Sequence, residues 1–483
     1  MKYDISTLTQ AIDSAKGCIL EKQQSVCFNG KEYKSWPLYF ADRLSNSDDV
    51  DVCTIGIGVI ALSNFDFKND CAIAETISQS VNTILSIRNG DGSWPSKVSL
   101  VTKDTFSMEG VISDTFYALS ALICVGFLSN NPIVPEFVNL NDGTVYDTVD
   151  KRILFIEKSV DWLLENRVEN RQGWQYTGVH YLENKSDKKS LPAYTMPTAN
   201  AILVLHKIRM AIVAINPSHS VVNKINDAVK SSINWLFTVQ SNTNGDYGFG
   251  IKRGGSSRLS NTARVLIALG EIRLDDFSVQ TKIQNLQKRA IKWLIENYKP
   301  RKISFADVSE DFTQMFIEFD GEMDSIKNVF RRPIIHETYI EPMIIEVLYN
   351  YYNANKDVIK MNQKRRIFSA LDTALSSMLQ SQSISGEMNG SVACRRQSTF
   401  EMYAMYSTCD FICTLSKLVN EPVLVKKISH SNIVFKLRLF FGIMIILFAV
   451  GLPLLIGTDK YIYTIPGSLA LGLIANLISD KIL

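Results

Sequence analysis

A chain of 483 residues with 46% hydrophobic residues and a formal charge of +2 can bury one large core or two to three ordinary ones, which excludes a disordered polymer. The near-neutral balance removes bulk charge as a guide to partners, so local charge has to supply it. Eight cysteines (Cys18, Cys27, Cys53, Cys71, Cys124, Cys394, Cys409, Cys413) stand without a C-x-x-C pair, pointing to reduced thiols and away from a disulfide scaffold or zinc ribbon.

The N-terminus, Met1-Lys2-Tyr3-Asp4-Ile5-Ser6, lacks the apolar core of a signal peptide, so a cytosolic location is expected for this part. Self-similarity then organises the chain. The segments Asp161 to Asn166, Asn234 to Phe237 and Lys292 to Asn297 carry the same Trp-Leu helix ending at intervals of roughly 60 to 75 residues. Weaker copies end at Cys18 to Lys22, Thr83 to Ile87 and Ser377 to Gln380.

A turn follows each ending, with glycine for positive φ and an aromatic residue able to fold back onto the helix. In chain order these turns are Asn29-Gly30 with Trp36, Gly90 to Trp94, Gln172-Gly173-Trp174, Gly245 to Phe249, a degraded copy at Ser304-Phe305, and Gly386 to Gly390. A second helix rich in small and apolar residues is expected after each turn. The spacing places these at Thr54 to Phe65, Asp114 to Gly126, Thr198 to Val213, Asn261 to Arg273, Thr338 to Tyr352 and Met402 to Leu418.

An open solenoid would need polar caps, and the end repeats are no more polar than the rest, so closure into a ring is expected. The expectation is an all-α fold: an (α/α)6 toroid over residues 1–425, a basic linker over 426–438 and a transmembrane hairpin over 439–483. Small residues as in Ile55-Gly56-Ile57-Gly58 mark the inner helices, and charges as in Gln287 to Lys292 mark the outer ones.

Gly92-Ser93-Trp94 and Gly173-Trp174, followed by Ser113 to Leu119 and Asn261 to Leu269, resemble the repeats of the terpenoid cyclase and protein prenyltransferase α/α toroids. The resemblance implies a proton-donating Asp-x-Asp-Asp run before Thr262-Ala263 in a class II cyclase, but Arg258-Leu259-Ser260-Asn261 stands there and supplies no comparable acid. It implies zinc held by Asp, Cys and His in a prenyltransferase. Here His336-Glu337-Thr338-Tyr339 and Tyr403 to Tyr406 offer no such set. Asp51 and Cys53 are two donors, too few for a tetrahedral site, so capping is the simpler role. Asp114 reads as an N-cap or first-turn carboxylate. No metal, cofactor or catalytic residue is therefore expected, and the toroid reads as degenerate.

Basic groups take the place of the acids. Lys252, Arg253, Arg258 and Arg264 cluster before and within the fourth inner helix, Arg331-Arg332 and His336 precede the fifth, and Arg395-Arg396 the sixth. Each group alone reads as solvated loop charge. At equivalent positions in a toroid they would converge at one mouth, where helix N-termini already favour anions and arginine forks suit phosphate. Tyr247, Phe249 and Tyr339 are the candidate stacking partners for bases, although aromatic residues at such turns more often serve packing. The expected ligand is a phosphorylated small molecule or a single-stranded oligonucleotide.

From Leu439 to Ile456 and from Tyr461 to Ile478 the chain runs eighteen residues at a time without a charge. Each run is long enough to span a bilayer, and Lys426, Lys427, Lys436 and Arg438 before them orient the toroid to the cytoplasmic side of the inner membrane. In a homo-oligomer, with a tetramer as the working expectation, Thr464, Ser468 and Asn476 would line a pore. A sensor joined to a membrane hairpin resembles the effectors of bacterial antiphage systems, the Hailong type above all. That resemblance implies a messenger-controlled channel and a messenger-producing nucleotidyltransferase as partner. The competing expectation is a membrane-anchored enzyme on isoprenoid diphosphates.

Overall fold

Local chemistry starts the helices. Asp4, Asp51, Asp70 and Thr148 each sit in extended conformation just before a helix and accept a backbone N–H from its first turn. A computed structural model describes residues 3–28, 30–40, 49–67, 69–99, 110–175, 191–241, 245–255, 257–274, 277–298, 340–396 and 401–430. Within these, helices alternate between two environments.

Six amphipathic helices form an outer layer: α1 (Ile5–Glu21), α3 (Cys71–Ser86), α5 (Val149–Glu165), α7 (Ser220–Val239), α9 (Phe277–Asn297) and α11 (Met361–Gln380). Six others form the inner layer: α2 (Val52–Leu62), α4 (Ile112–Cys124), α6 (Thr195–Ile215), α8 (Leu259–Glu271), α10 (Glu341–Asn355) and α12 (Met405–Val419). Each inner helix packs on the next, α2 on α4, α4 on α6, α6 on α8, α8 on α10 and α10 on α12. The last, α12, packs on α2 and closes the ring. The expected α/α toroid is therefore the observed architecture of the described residues.

The seam is held by polar bonds between the two ends of the chain. The Tyr3 hydroxyl donates to Asp372 at 2.7 Å, Gln382 Nε2 donates to the Ala11 carbonyl at 2.7 Å, and Met405 N donates to the Leu38 carbonyl at 3.0 Å. Crowding at the α2–α4 contact explains its glycine. A Cβ on Gly56 would lie 2.9 Å from the Tyr117 backbone.

A single device repeats around the ring. The indole Nε1 of Trp36, Trp94 and Trp174 donates to the carbonyls of Ile19, Ile84 and Leu163, each at 2.8 Å, so each indole occupies an orphan acceptor near the end of an outer helix. At the same turns, threonines in the first turn of the inner helices bind the passing backbone. Thr115, Thr198, Thr262 and Thr408 Oγ1 accept from the N–H of Trp94, Trp174, Phe249 and Val392 at 2.8–3.1 Å. Thr54 instead donates to the Trp36 carbonyl at 2.8 Å.

This device corrects the expected helix starts. The first four inner helices begin two or three residues before the anticipated positions, because the threonine lies inside the first turn. The fifth and sixth begin three residues later than anticipated. Before the sixth, Glu401–Tyr403 forms strand β6, which pairs antiparallel with β5 (Ala393–Arg396). Two further short antiparallel pairs, β1 (Gln24–Phe28) with β2 (Lys31–Ser35) and β3 (Asp49–Asp51) with β4 (Lys97–Ser99), were not legible as strands either.

Among the described residues, Thr195–Ile215 is the one helix long and apolar enough to cross a membrane, and as α6 it belongs to the inner ring. Residues 426–430, the start of the expected linker, continue a helix that begins at 422. The rest of the linker, the two apolar runs, and Thr464, Ser468 and Asn476 lie outside the described residues.

Candidate functional site

The repeated threonines set a common register for what faces the axis. Two residues after Thr115, Thr198, Thr262 and Thr408 stand Tyr117, Asn200, Arg264 and Asp410, and Glu346 holds the matching place on α10. Each is partly exposed although its neighbours on the helix are buried. Helical spacing continues the stripe. On α12 it runs through Tyr406, Asp410, Cys413 and Lys417, and on α4 through Ser113, Tyr117, Ser120 and Cys124. The toroid thus has a polar girdle inside its lumen.

Electrostatics show that these side chains share one space. The Tyr117 hydroxyl is pushed up by burial, and it feels Cys53 of the adjacent helix α2 as well as Arg264 of α8 and Asp410 of α12, each two places away around the ring. Burial pushes Asp410 up to about 6, with Glu346 adding to the rise and Arg264 and Lys417 opposing it. Lys417 is held above its ordinary value even though burial lowers it, because Glu346 accepts its hydrogen bond and supplies the opposing charge. Arg264 Nε is buried without a hydrogen-bond partner among the described residues. A guanidinium with an unused donor inside a lumen is a place for a ligand acceptor.

A second cluster lies at the N-terminal end of the inner helices. One donor atom each from Asp51, Cys53 and Asp114 lies within 4.8 Å of the others. Asp51 caps α2 through Thr54 N at 2.9 Å, and Ser113 Oγ donates to Asp114 at 3.0 Å. Asp114 is a first-turn carboxylate, as expected, but one that is 4% exposed and turned to this cluster. Burial pushes it up to about 7, and the Asp51 charge adds to the rise.

Folding raises the pKa of both Asp114 and Asp410, so the native state binds protons that the unfolded chain has released between pH 4 and 7, and stability falls as pH rises. In the presence of chelator, the Asp114 contribution is expected to amount to roughly 3 kcal/mol lost between pH 5 and 8, with Asp410 acting in the same direction. Chemical denaturation at several pH values checks this. Asp114→Asn should flatten most of the slope.

The basic residues anticipated at the mouth divide. Arg264 faces the lumen, whereas Arg253 is half exposed and pairs with Glu169 at 3.0 Å. That carboxylate comes from the turn after α5, where Glu169, Asn170 and Arg171 all have positive φ and its other oxygen accepts from Ala193 N. Sequence distance concealed this partner. Arg258 is the N-cap residue of α8 and Lys252 lies in the loop before it, both partly exposed. Tyr247 already carries the Arg289 guanidinium over its ring at 5.3 Å, which leaves one face fewer for a base. Arg395 and Arg396 lie on β5 opposite Met402 and Glu401. Arg331, Arg332, His336 and Tyr339 lie outside the described residues. The girdle residues Tyr117, Asn200, Glu346, Asp410 and Lys417 were missed, although their offset from the recurring threonines was available as a signal.

Among solved structures, a family 76 glycoside hydrolase from a bovine Bacteroides thetaiotaomicron strain matches with a TM-score of 0.50 and 10% identity, over 86% of this chain and 79% of that one. The type II terpene cyclase MstE from Scytonema matches at TM-score 0.45 and 12% identity, over 86% and 99%. An unsaturated glucuronyl hydrolase specific for heparin matches at 0.46 and 11%, over 86% and 97%. At such identities the likeness concerns the α/α-toroid fold alone. No family model matches the chain, and no curated protein does.

Proposed function

We propose that the protein is a non-enzymatic membrane effector whose toroid lumen receives a nucleotide-type messenger and whose C-terminal hairpin, assembled in a homo-oligomer, forms the pore which that messenger controls. The reading extends to bacterial antiphage defence, with a nucleotidyltransferase as the messenger's source. The observation that carries it is the lumen girdle, where Arg264 offers an unused charged donor among Asp410, Glu346 and Asn200. A nucleotide presents an anionic phosphate together with neutral N–H and O–H donors, and this mixture of the Arg264 guanidinium, a Lys417 already paired with Glu346, and several acceptors complements both. Binding controls a pore only if the open and closed states differ in affinity for the messenger.

The second reading is an enzyme on isoprenoid diphosphates, favoured by Asp114, a carboxyl able to give a proton near neutral pH. The charged girdle weighs against it, because carboxylates beside a carbocation would quench it. Incubating the full-length protein with labelled prenyl diphosphates, and separately with ATP, cyclic di-GMP and single-stranded tetranucleotides, separates the two. Saturable nucleotide binding without turnover is the expected result. Conversion of a prenyl diphosphate would replace the effector reading with the enzymatic one.

A further inference from the structure

The cluster at the N-terminal end of α2 and α4 has a composition that the nucleotide reading does not use. Its three donors come from the starts of two adjacent inner helices, and two of them, the N-cap Asp51 and Cys53 in the first turn, belong to α2. The ring contact between α2 and α4 brings Asp114 to them, the third donor whose absence from the local sequence argued for capping alone.

We propose that Asp51, Cys53 and Asp114 form a divalent-metal site of zinc type, opening on the lumen with one coordination position left for water or ligand. A thiolate with two carboxylates is a donor set that zinc accepts, and three protein ligands with a free fourth position is the arrangement of a reactive rather than a closed structural site. Around an ion with bonds of about 2.0–2.3 Å the donors would stand about 3.5 Å apart, so the observed spacing closes by side-chain rotation. Thr54 N fixes one oxygen of Asp51, and Ser113 Oγ binds Asp114 Oδ2, so both carboxylates are already oriented by neighbours in the way metal ligands are. The inference does not depend on which organic ligand the lumen takes.

Binding releases the thiol proton to solvent and forms the metal–sulfur bond with no change of oxidation state. Titration of the full-length, chelator-treated protein with Co²⁺ tests it. One equivalent is expected to bring up thiolate-to-metal charge-transfer absorption in the near ultraviolet together with visible bands of low-symmetry four-coordinate cobalt, and Zn²⁺ should displace both. Cys53→Ser should abolish the charge-transfer band, and Asp114→Asn, which preserves shape, should weaken Zn²⁺ binding at least tenfold while leaving helical content unchanged. Absence of the band in the wild type, or its persistence in Cys53→Ser, overturns the site. So does unaltered affinity in Asp114→Asn, which decides the matter even where the cysteine variant does not fold.

Discussion

Trp174→Ala is expected to cost about 3–5 kcal/mol of stability, enough to remove a large part of the margin of an ordinary domain. The indole is fully buried, and it joins the end of α5 to the start of α6. Its Nε1 satisfies the Leu163 carbonyl, while its backbone N–H donates to Thr198 and its carbonyl accepts from Tyr194 N at 2.9 Å. Truncation opens a cavity and leaves a helix-end acceptor without its donor. Trp174→Phe largely separates the two effects, since the phenyl ring keeps most of the buried area and loses the hydrogen bond with only a small void, for about 1–2 kcal/mol. Equilibrium denaturation followed by circular dichroism measures both. An alanine variant within about 1 kcal/mol of wild type would mean that the repeated indoles fill space without tying the layers together.

Arg264→Gln is expected to weaken nucleotide binding about a hundredfold or more, because truncating one partner of an enclosed, charge-assisted contact costs about 2–5 kcal/mol and each 1.4 kcal/mol is roughly a factor of ten. The same change removes a positive neighbour of Asp410, so the carboxyl should rise further. Arg253→Gln serves as the internal comparison. Its guanidinium is half exposed and already engaged by Glu169, so a loss of less than about threefold is expected, in keeping with surface ion pairs worth about 0–1 kcal/mol. Filter binding with the nucleotide panel reads both variants. A reversed order of effects would move the site from the lumen to the outer loops.

The ring was legible because closure repeats a short-range pattern. Trp-Leu helix ends, glycine turns and small-residue helices recur within each unit, so Trp36, Trp94, Trp174 and Phe249 announced themselves without tertiary information. Gly56 was legible for the same reason, as a small residue where two helices must approach. What escaped was anything decided across the ring. Asp114 looked like a first-turn carboxylate, and it is one, yet its burial and its meeting with Asp51 and Cys53 follow from the α2–α4 contact. Glu169 could not be matched to Arg253 from a distance of many residues. The girdle was partly legible in principle, since Tyr117, Asn200, Arg264 and Asp410 share one offset from a recurring threonine. That offset gains meaning only once the threonine is known to bind the preceding turn.

The lumen's role as the ligand chamber is tested most directly by thiol protection. Cys53 and Cys413 are partly exposed on the inner helices α2 and α12, whereas Cys27 and Cys71 are exposed on β1 and on the outer helix α3. Alkylation of the full-length protein by a small uncharged reagent, in chelator and read by peptide mass spectrometry, should slow at Cys53 and Cys413 when a nucleotide of the panel is bound and stay unchanged at Cys27 and Cys71. Binding that leaves both lumen thiols unprotected would contradict the account.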